Sequence, residues 1–280
     1  MYAGAKMNLT NVQVQLFQEE GYLALPEFFS AREVAAMQAE IARLQRLGKL
    51  RNVTTEGDGA THSQTLFNLQ LCPMSPYSPL FRAMPFHSEV VSVVRQLIGD
   101  PVVLHLDQVF LKPGQHGVGT NWHQDNAYFQ IPDPLKGTAL WTAVHEATVA
   151  NGTIHVIPRR HKSALEHSRD PYSDHHIRCY PPEEEAIPIE LPAGGVVLFA
   201  YGTPHCTRAN QTDQARAGVA LHFLNADQTP FATGMTDPNM KHPHLTGPQA
   251  DGGRAAYGVD VASSWREEVE RALVGAAQVS

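Results

Sequence analysis

"VVLHLDQVFLK", Val102–Lys112, is the stretch whose reading decides the fold. It alternates with period two and is rich in β-branched residues, which is the pattern of a strand. Upstream of it the texture is helical. Thr10 and Gln13 form a capping box ahead of Val14 and Phe17, and Gly21 stands where that helix would stop. Ser30 and Glu33 repeat the box, Val34, Met37, Ile41 and Leu44 follow at helical spacing, and Gly48 closes the run. A third helix is expected over residues 88–98, ended by Gly99 and Pro101. Downstream, strands are expected over 138–148, 154–158, 187–191, 196–200 and 217–225, separated by turn signals such as "NG" at 151–152 and "PAGG" at 192–195. "SSWREEVERALVG" near the end reads as an amphipathic helix. Segments 57–63 and 168–185 are polar and aperiodic and read as loops with the makings of lids. The order of helices, then many strands, then a helix predicts an all-β sandwich or barrel core with flanking helices. One domain is expected over 1–280: a mainly helical annex at 1–100, a β core at 102–225, and an extension with a helix at 226–280.

The 280 residues are 42% hydrophobic and 18% charged, enough for a substantial core. No apolar run reaches membrane-spanning length, and the first residues lack the apolar core of a signal peptide. Three cysteines, Cys72, Cys179 and Cys206, have no metal-ligand spacing and fit reduced thiols in a cytoplasm. The net charge of −7, without a basic tract, argues against a nucleic-acid partner. A small-molecule substrate is the expected partner, with the chain acting as a monomer or homodimer.

Shortly beyond the deciding strand comes "NWHQDNAYF", 121–129. In extended chain, His123 and Asp125 fall on one side, since side chains repeat every second residue. A divalent metal needs a third ligand, and His205, after the strand at 196–200, offers one. Two histidines and a carboxylate on one face form the facial triad of non-haem Fe(II) oxygenases, which leaves positions open for a 2-oxo acid and O2. The far carboxylate of a 2-oxo acid calls for a guanidinium fork, and Arg216 begins the next strand, with the hydroxyl of Thr207 as a second contact.

At these residues the sequence resembles the phytanoyl-CoA dioxygenase family, Fe(II)- and 2-oxoglutarate-dependent oxygenases on a double-stranded β-helix, a jelly roll like that of cupins. The resemblance runs over most of the chain. "FQEEGYLALPEFFSAREVAAMQAEI" is similar to the family's opening helix, strand and helix. "LKPG" and "WHQDNAYF" resemble its proximal metal motif, "LWTAVHEATVANGTIHVIPRRHK" its middle segment, and "GGVVLFAYGTPHCTRANQTDQAR" its distal motif. The resemblance implies that His123, Asp125 and His205 hold Fe(II), and that Arg216 and Thr207 bind 2-oxoglutarate. It places Trp141 and Gln108 in the wall of the co-substrate pocket; a core aromatic and a strand polar residue are the plainer readings. It implies hydroxylation of an unactivated C–H bond by O2, with release of succinate and CO2. Desaturation, ring closure and epimerisation share the early steps. Relatives that halogenate carry a small residue at the carboxylate position, so Asp125 favours hydroxylation.

Arg159 and Arg160 stand where the family often has Gly-Ser. They either draw an anionic substrate to the pocket mouth or form a solvated turn. His105 either faces the pocket and touches substrate or is a satisfied core histidine. His175 and His176 are expected to be solvent-exposed, and His161 and His222 structural. The rival function is a cupin-like isomerase or non-catalytic binding protein, which has no need of a buried guanidinium facing the metal.

Overall fold

The computed structural model describes residues 7–228 and 239–278. Its helices are α1 (Asn11–Glu20), α2 (Ala31–Arg46), α3 (Pro79–Ala83), α4 (Ser88–Ile98), α5 (Asn126–Phe129), α6 (Arg254–Tyr257) and α7 (Trp265–Ala277). Its strands are β1 (Tyr22–Leu25), β2 (Arg51–Asn52), β3 (Leu69–Leu71), β4 (Val102–Lys112), β5 (Gly137–Ala143), β6 (Ile154–Val156), β7 (Ser168–Arg169), β8 (Ile177–Arg178), β9 (Ile187–Ile189), β10 (Val196–Ala200), β11 (His205–Thr207) and β12 (Arg216–Asn225).

A seven-stranded antiparallel sheet in the order β1-β10-β5-β12-β4-β3-β2 faces a smaller sheet, β11-β6-β9. Apolar side chains from both sheets interlock between them: Trp141, Val197, Phe199 and Ala220 from the large sheet, Ile154, Val156 and Ile189 from the small one. The other face of the large sheet carries Val109, Leu140, Leu198, Val219 and Leu221 against the helices. This is a double-stranded β-helix core with flanking helices.

Both capping boxes form as expected, at Thr10 and Ser30, and α4 has the expected bounds. The expected strand at 138–148 ends at Ala143. Beyond it Ala147 bridges Leu191, so the chain turns the corner from one sheet to the other there. Hydrophobic alternation runs on across such a corner and does not mark it. The first hundred residues contribute three strands to the large sheet as well as four helices. Within 168–185 the short hairpin β7–β8 forms where the sequence predicts only a loop, because two-residue strands leave no periodicity to read.

A β-bulge decides what β4 shows to the interior. The register with β12 shifts between His222, opposite Leu106, and Phe223, opposite Leu104. Without it Leu104 and Leu106 would share a face. With it Leu104 joins the helix-side core and Leu106 faces the space between the sheets.

The helix α7 closes the annex against α2 and α3. Its anchor is Trp265, whose indole N–H donates to Glu33 Oε1 at 2.6 Å while the ring packs 5.5 Å from His87. His87 Nε2 lies 3.3 Å from the same carboxylate, and Ser30 caps it from below. Burial alone would raise the Glu33 pKa, but the bonds from His87, Trp265 and Ser30 outweigh it and hold it at about 2. Because the folded value lies below the ordinary 4.5, the stability this carboxylate contributes is present above that pH and is lost as pH falls from there towards 2. The loss is expected to be on the order of 3 kcal/mol. Glu33→Gln is expected to flatten this acid limb in a thermal-melt series from pH 6 to 3. An unchanged limb in the variant would show that other carboxylates carry it.

Candidate active site

His123 and His205 are cross-strand partners. Each accepts the other's backbone N–H, at 3.0 Å both ways, which adds residue 123 to the edge of β11. The pairing brings two side chains 82 positions apart in the chain to one face, with ring centroids 4.2 Å apart. Asp125 reaches the same point from the start of α5. It makes no capping bond with its side chain, so the carboxylate stays available. The residue between them, Gln124, points the other way. Its amide donates to Gly202 and Ser163 carbonyls and accepts from Leu165 N–H, which clamps the loop.

The three side chains offer ligand atoms that lie within 4.8 Å of one another. Asp125 Oδ1 is 3.7 Å from His123 Nε2 and 3.8 Å from His205 Nε2. Both imidazoles are held alike, His123 Nδ1 2.8 Å from the Asn121 carbonyl and His205 Nδ1 2.9 Å from that of Thr203. A carbonyl only accepts, so Nδ1 carries the proton and each Nε2 turns a free lone pair to the centre. Burial keeps both rings neutral: it pushes His123 down to about 4 and His205 well below its ordinary value. Burial acts oppositely on Asp125, raising it to about 8, and its Oδ2 has no hydrogen-bond partner among the described residues. Two aimed lone pairs and a buried carboxylate lacking a counter-charge fit a divalent metal of the iron type.

The triad lines a cavity of about 470 Å³ that Arg216, Lys112, Trp141, Gln108 and Thr207 also line. Arg216 is 1% exposed and packs 5.5 Å over the ring of Trp141. Its guanidinium donates to the carbonyls of Asn151, at 3.4 Å, and Gly152, the turn the sequence marked. Trp141 lies flat over Gly218, where any Cβ would sit 2.5 Å from the indole. Lys112 pairs with Arg216 across β4 and β12, is as deeply buried, and donates to the Arg208 and Gly152 carbonyls. Burial lowers Arg216 to about 10; burial and then Arg216 itself push Lys112 well down. Among the described residues neither cation is paired with a carboxylate. Two buried basic side chains facing a cavity, with no carboxylate paired to them among the described residues, are chemically suited to receive a carboxylate.

The phytanoyl-CoA dioxygenase family model matches residues 17–218, most of the chain. The chain belongs to the phytanoyl-CoA dioxygenase family. It is a dioxygenase of the iron- and 2-oxoglutarate-dependent class. It is 23% identical over 240 residues to ectoine dioxygenase of Bordetella parapertussis, covering 78% of this chain and 76% of that one. It is 26% identical to phytanoyl-CoA dioxygenase 1 of Oryza sativa subsp. japonica, over 79% of this chain and 90% of that one. The non-heme alpha ketoglutarate dependent carbocyclase SnoK from nogalamycin biosynthesis shares the fold, with a TM-score of 0.69, 21% identity, and 84% and 92% of the two chains covered.

Seven of the ten candidate site residues, His123, Asp125, His205, Arg216, Thr207, Trp141 and Gln108, line this cavity in the dioxygenase; His105, Arg159 and Arg160 do not. Thr207 lines it, and its hydroxyl oxygen accepts from Thr120 N–H at 3.0 Å. Gln108 lines it and links Gln70 to His222. His105 lies behind the wall, 4.3 Å from the Phe129 ring and 1% exposed, which supports the core-histidine reading. Arg159 and Arg160 are not among the lining residues: Arg159 faces Glu20 at 3.6 Å, and Arg160 is bidentate on Glu185. Their placement supports the solvated turn. Arg159 adopts φ of 62°, the left-handed region that favours glycine, which gives the Gly of the resembled motif a backbone reason. His176 corrects the expectation of exposure: it is 7% exposed, lines the cavity and packs against Phe110, while its neighbour His175 is exposed at the rim.

From the sequence Lys112 is only an alternative to Arg216 as the carboxylate anchor and His222 is a structural residue; the register that sets Lys112 opposite Arg216, and the lining of the cavity by both Lys112 and His222, appear only in the structure. The polar segment 168–185 is joined to the chain at residues 53–59. Thr55 N–H donates to the Tyr172 carbonyl at 3.1 Å, Gly59 to Pro171 at 2.7 Å, and Asp174 to Val53 at 3.0 Å. Arg51 pairs with Asp174 at the rim. Among the described residues no helix is long and apolar enough to cross a membrane.

Proposed function

We propose that this protein hydroxylates an unactivated C–H bond of a small metabolite or natural-product intermediate. His123, Asp125 and His205 would hold Fe(II), and Arg216 with Lys112 would grip the far carboxylate of 2-oxoglutarate. The observation that carries this is a single cavity lined both by two imidazole lone pairs and a carboxylate and by two buried basic side chains that no carboxylate pairs with among the described residues. When bound, iron and 2-oxoglutarate supply the oxidant from O2, with release of succinate and CO2. The chain contributes position and water exclusion. Trp141, Phe199 and Ile154 add apolar wall to this cavity, which strengthens the charge-assisted bonds within it.

The substrate end is lined by Phe110, Tyr128, Phe129 and Leu106, with Gln70 and His176 as polar contacts. A volume of about 470 Å³ lies within the ordinary range for small-molecule sites. The rim arginine Arg51 is committed to Asp174, and Arg159 and Arg160 to Glu20 and Glu185. A CoA-sized polyanion therefore finds little to grip among the described residues. Among the relatives, ectoine dioxygenase and the carbocyclase SnoK are named for small substrates, while phytanoyl-CoA dioxygenase 1 is named for a CoA ester; the lining of this cavity favours the former.

The test has two stages. Anaerobic Fe(II) and 2-oxoglutarate are expected to give a weak visible charge-transfer band. Under air, a metabolite library is then screened for substrate-stimulated succinate, and the product is weighed. A gain of one oxygen atom supports hydroxylation; loss of two hydrogens would replace it by desaturation or ring closure, and an unchanged mass with inverted configuration by epimerisation. Absence of the band would favour the metal-binding isomerase or binding-protein alternative.

A further inference from the structure

We propose that His222 is a positioning residue for the metal carboxylate, its Nδ1–H oriented by the Gln70–Gln108 amide pair to hold Asp125 Oδ2 so that Oδ1 is presented to the metal. The inference rests on the reading of Asp125 as a ligand and assigns a role to three residues outside the triad.

The chain of bonds fixes every direction. Gln70 Nε2 donates to Gln108 Oε1 at 2.9 Å. The remaining end of the Gln108 amide is its NH2, and it lies 3.2 Å from His222 Nε2. An amide nitrogen only donates, so His222 Nε2 accepts and the ring proton sits on Nδ1. His222 is 4% exposed, and with Nε2 accepting from the Gln108 amide its ring carries a single proton, whose place matters.

Nδ1 is 3.6 Å from Asp125 Oδ2, just beyond hydrogen-bonding distance. These two atoms are both buried polar atoms without a hydrogen-bond partner among the described residues. Two orphans of opposite kind that face each other in a buried site are a bond waiting for a small shift. Asp125 already divides its oxygens: Oδ1 faces the two Nε2 lone pairs and Oδ2 faces His222. His222 sits on β12, Gln108 on β4 and Gln70 on β3, three adjacent strands of the large sheet. The carboxylate is thus referenced to the rigid sheet, while its own backbone belongs to a loop. His222 is not itself a fourth ligand in this arrangement, since Nδ1 has no free lone pair.

The test uses Co(II) alone, without co-substrate, titrated anaerobically into the full chain and followed by its visible absorption. Metal-free melting is measured beside it. His222→Leu removes the donor and is expected to weaken Co(II) roughly 10- to 100-fold, the range for partners behind metal ligands. His222→Asn puts an amide N–H where Nδ1 stood and is expected to stay within about threefold of the unaltered protein. Gln108→Leu frees the tautomer and is expected to fall between the two, and it keeps the test available if His222→Leu fails to fold. The proposal is overturned if His222→Leu binds Co(II) like the unaltered protein, or if His222→Asn is as weak as His222→Leu. Wild-type affinity in Asp125→Ala would instead sink the metal centre itself, and the relay with it.

Discussion

Asp125→Ala is expected to lose turnover by at least about three decades at limiting iron, and to lose most of its metal affinity. Protein sites with four ligands gain roughly 10–16 kcal/mol on binding zinc, so one ligand accounts for about 3–4 kcal/mol. At about 1.4 kcal/mol per tenfold, that is roughly two to three decades in affinity. Asp125 should lie at the upper end, because it is the only charge among three ligands whose imidazoles are neutral. Asp125→Asn separates charge from shape: it keeps the volume and the contact with His222 but removes the anion, and is expected to bind metal nearly as poorly as alanine. The same substitution should raise the melting temperature of the metal-free protein at neutral pH. A carboxyl that is 4% exposed, with no cation against it, is costly to ionise, and an amide avoids that cost. Metal titration and a metal-free melt on Asp125→Asn thus have opposite expected signs. Retained affinity for metal in Asp125→Asn would remove Asp125 from the ligand set.

Much of this site is legible in the sequence, because its chemistry is carried by short motifs. The His-x-Asp pattern marks the right residues, although Asp125 reaches the site from the helical turn that opens α5 (φ −57°, ψ −34°) and not from the extended chain the spacing suggests, and the strand that delivers Arg216 announces itself by alternation. The β-bulge opposite His222 is not legible, since one extra residue in a ladder changes faces without changing composition. That bulge follows the position of His222 and sends Leu104 to the helices, so the facing of His105 and Leu106 does not come from counting along the chain. Lys112 and His222 are hidden for a related reason. Each matters through a partner on the next strand, Arg216 for one and Gln108 for the other, and register across strands is a tertiary fact. Segments 57–63 and 168–185 show the opposite case: polar composition marks them as loops, but the hairpin within the second is too short to have a period. Arg159 and Arg160 admit two readings because charge alone does not say what it faces; Glu20 and Glu185 do.

Arg216→Ala is expected to weaken 2-oxoglutarate by roughly two to three decades while leaving metal affinity in the absence of co-substrate nearly unchanged. The guanidinium is 1% exposed, and no carboxylate pairs with it among the described residues, so a bound carboxylate would meet a largely desolvated fork. Removing one partner from such a buried pair costs about 3–5 kcal/mol, since the other charge is left unpaired. Lys112 keeps the variant from losing everything, because its Nζ stands at the same end of the cavity. An ammonium cannot reproduce the two parallel bonds, however, and burial together with Arg216 already pushes this lysine towards its neutral form. Lys112→Met should therefore cost less than Arg216→Ala, on the order of one decade. Arg216→Lys should recover only part of the loss, for the same want of a fork. The measurement is anaerobic titration of 2-oxoglutarate into the Fe(II)-loaded protein and the three variants, following the charge-transfer band. If Lys112→Met proves the more damaging change, the lysine is the principal anchor and Arg216 serves mainly to hold Trp141 and the turn at Asn151–Gly152 in place; unchanged affinity in both single variants would mean that the co-substrate carboxylate lies elsewhere in the cavity.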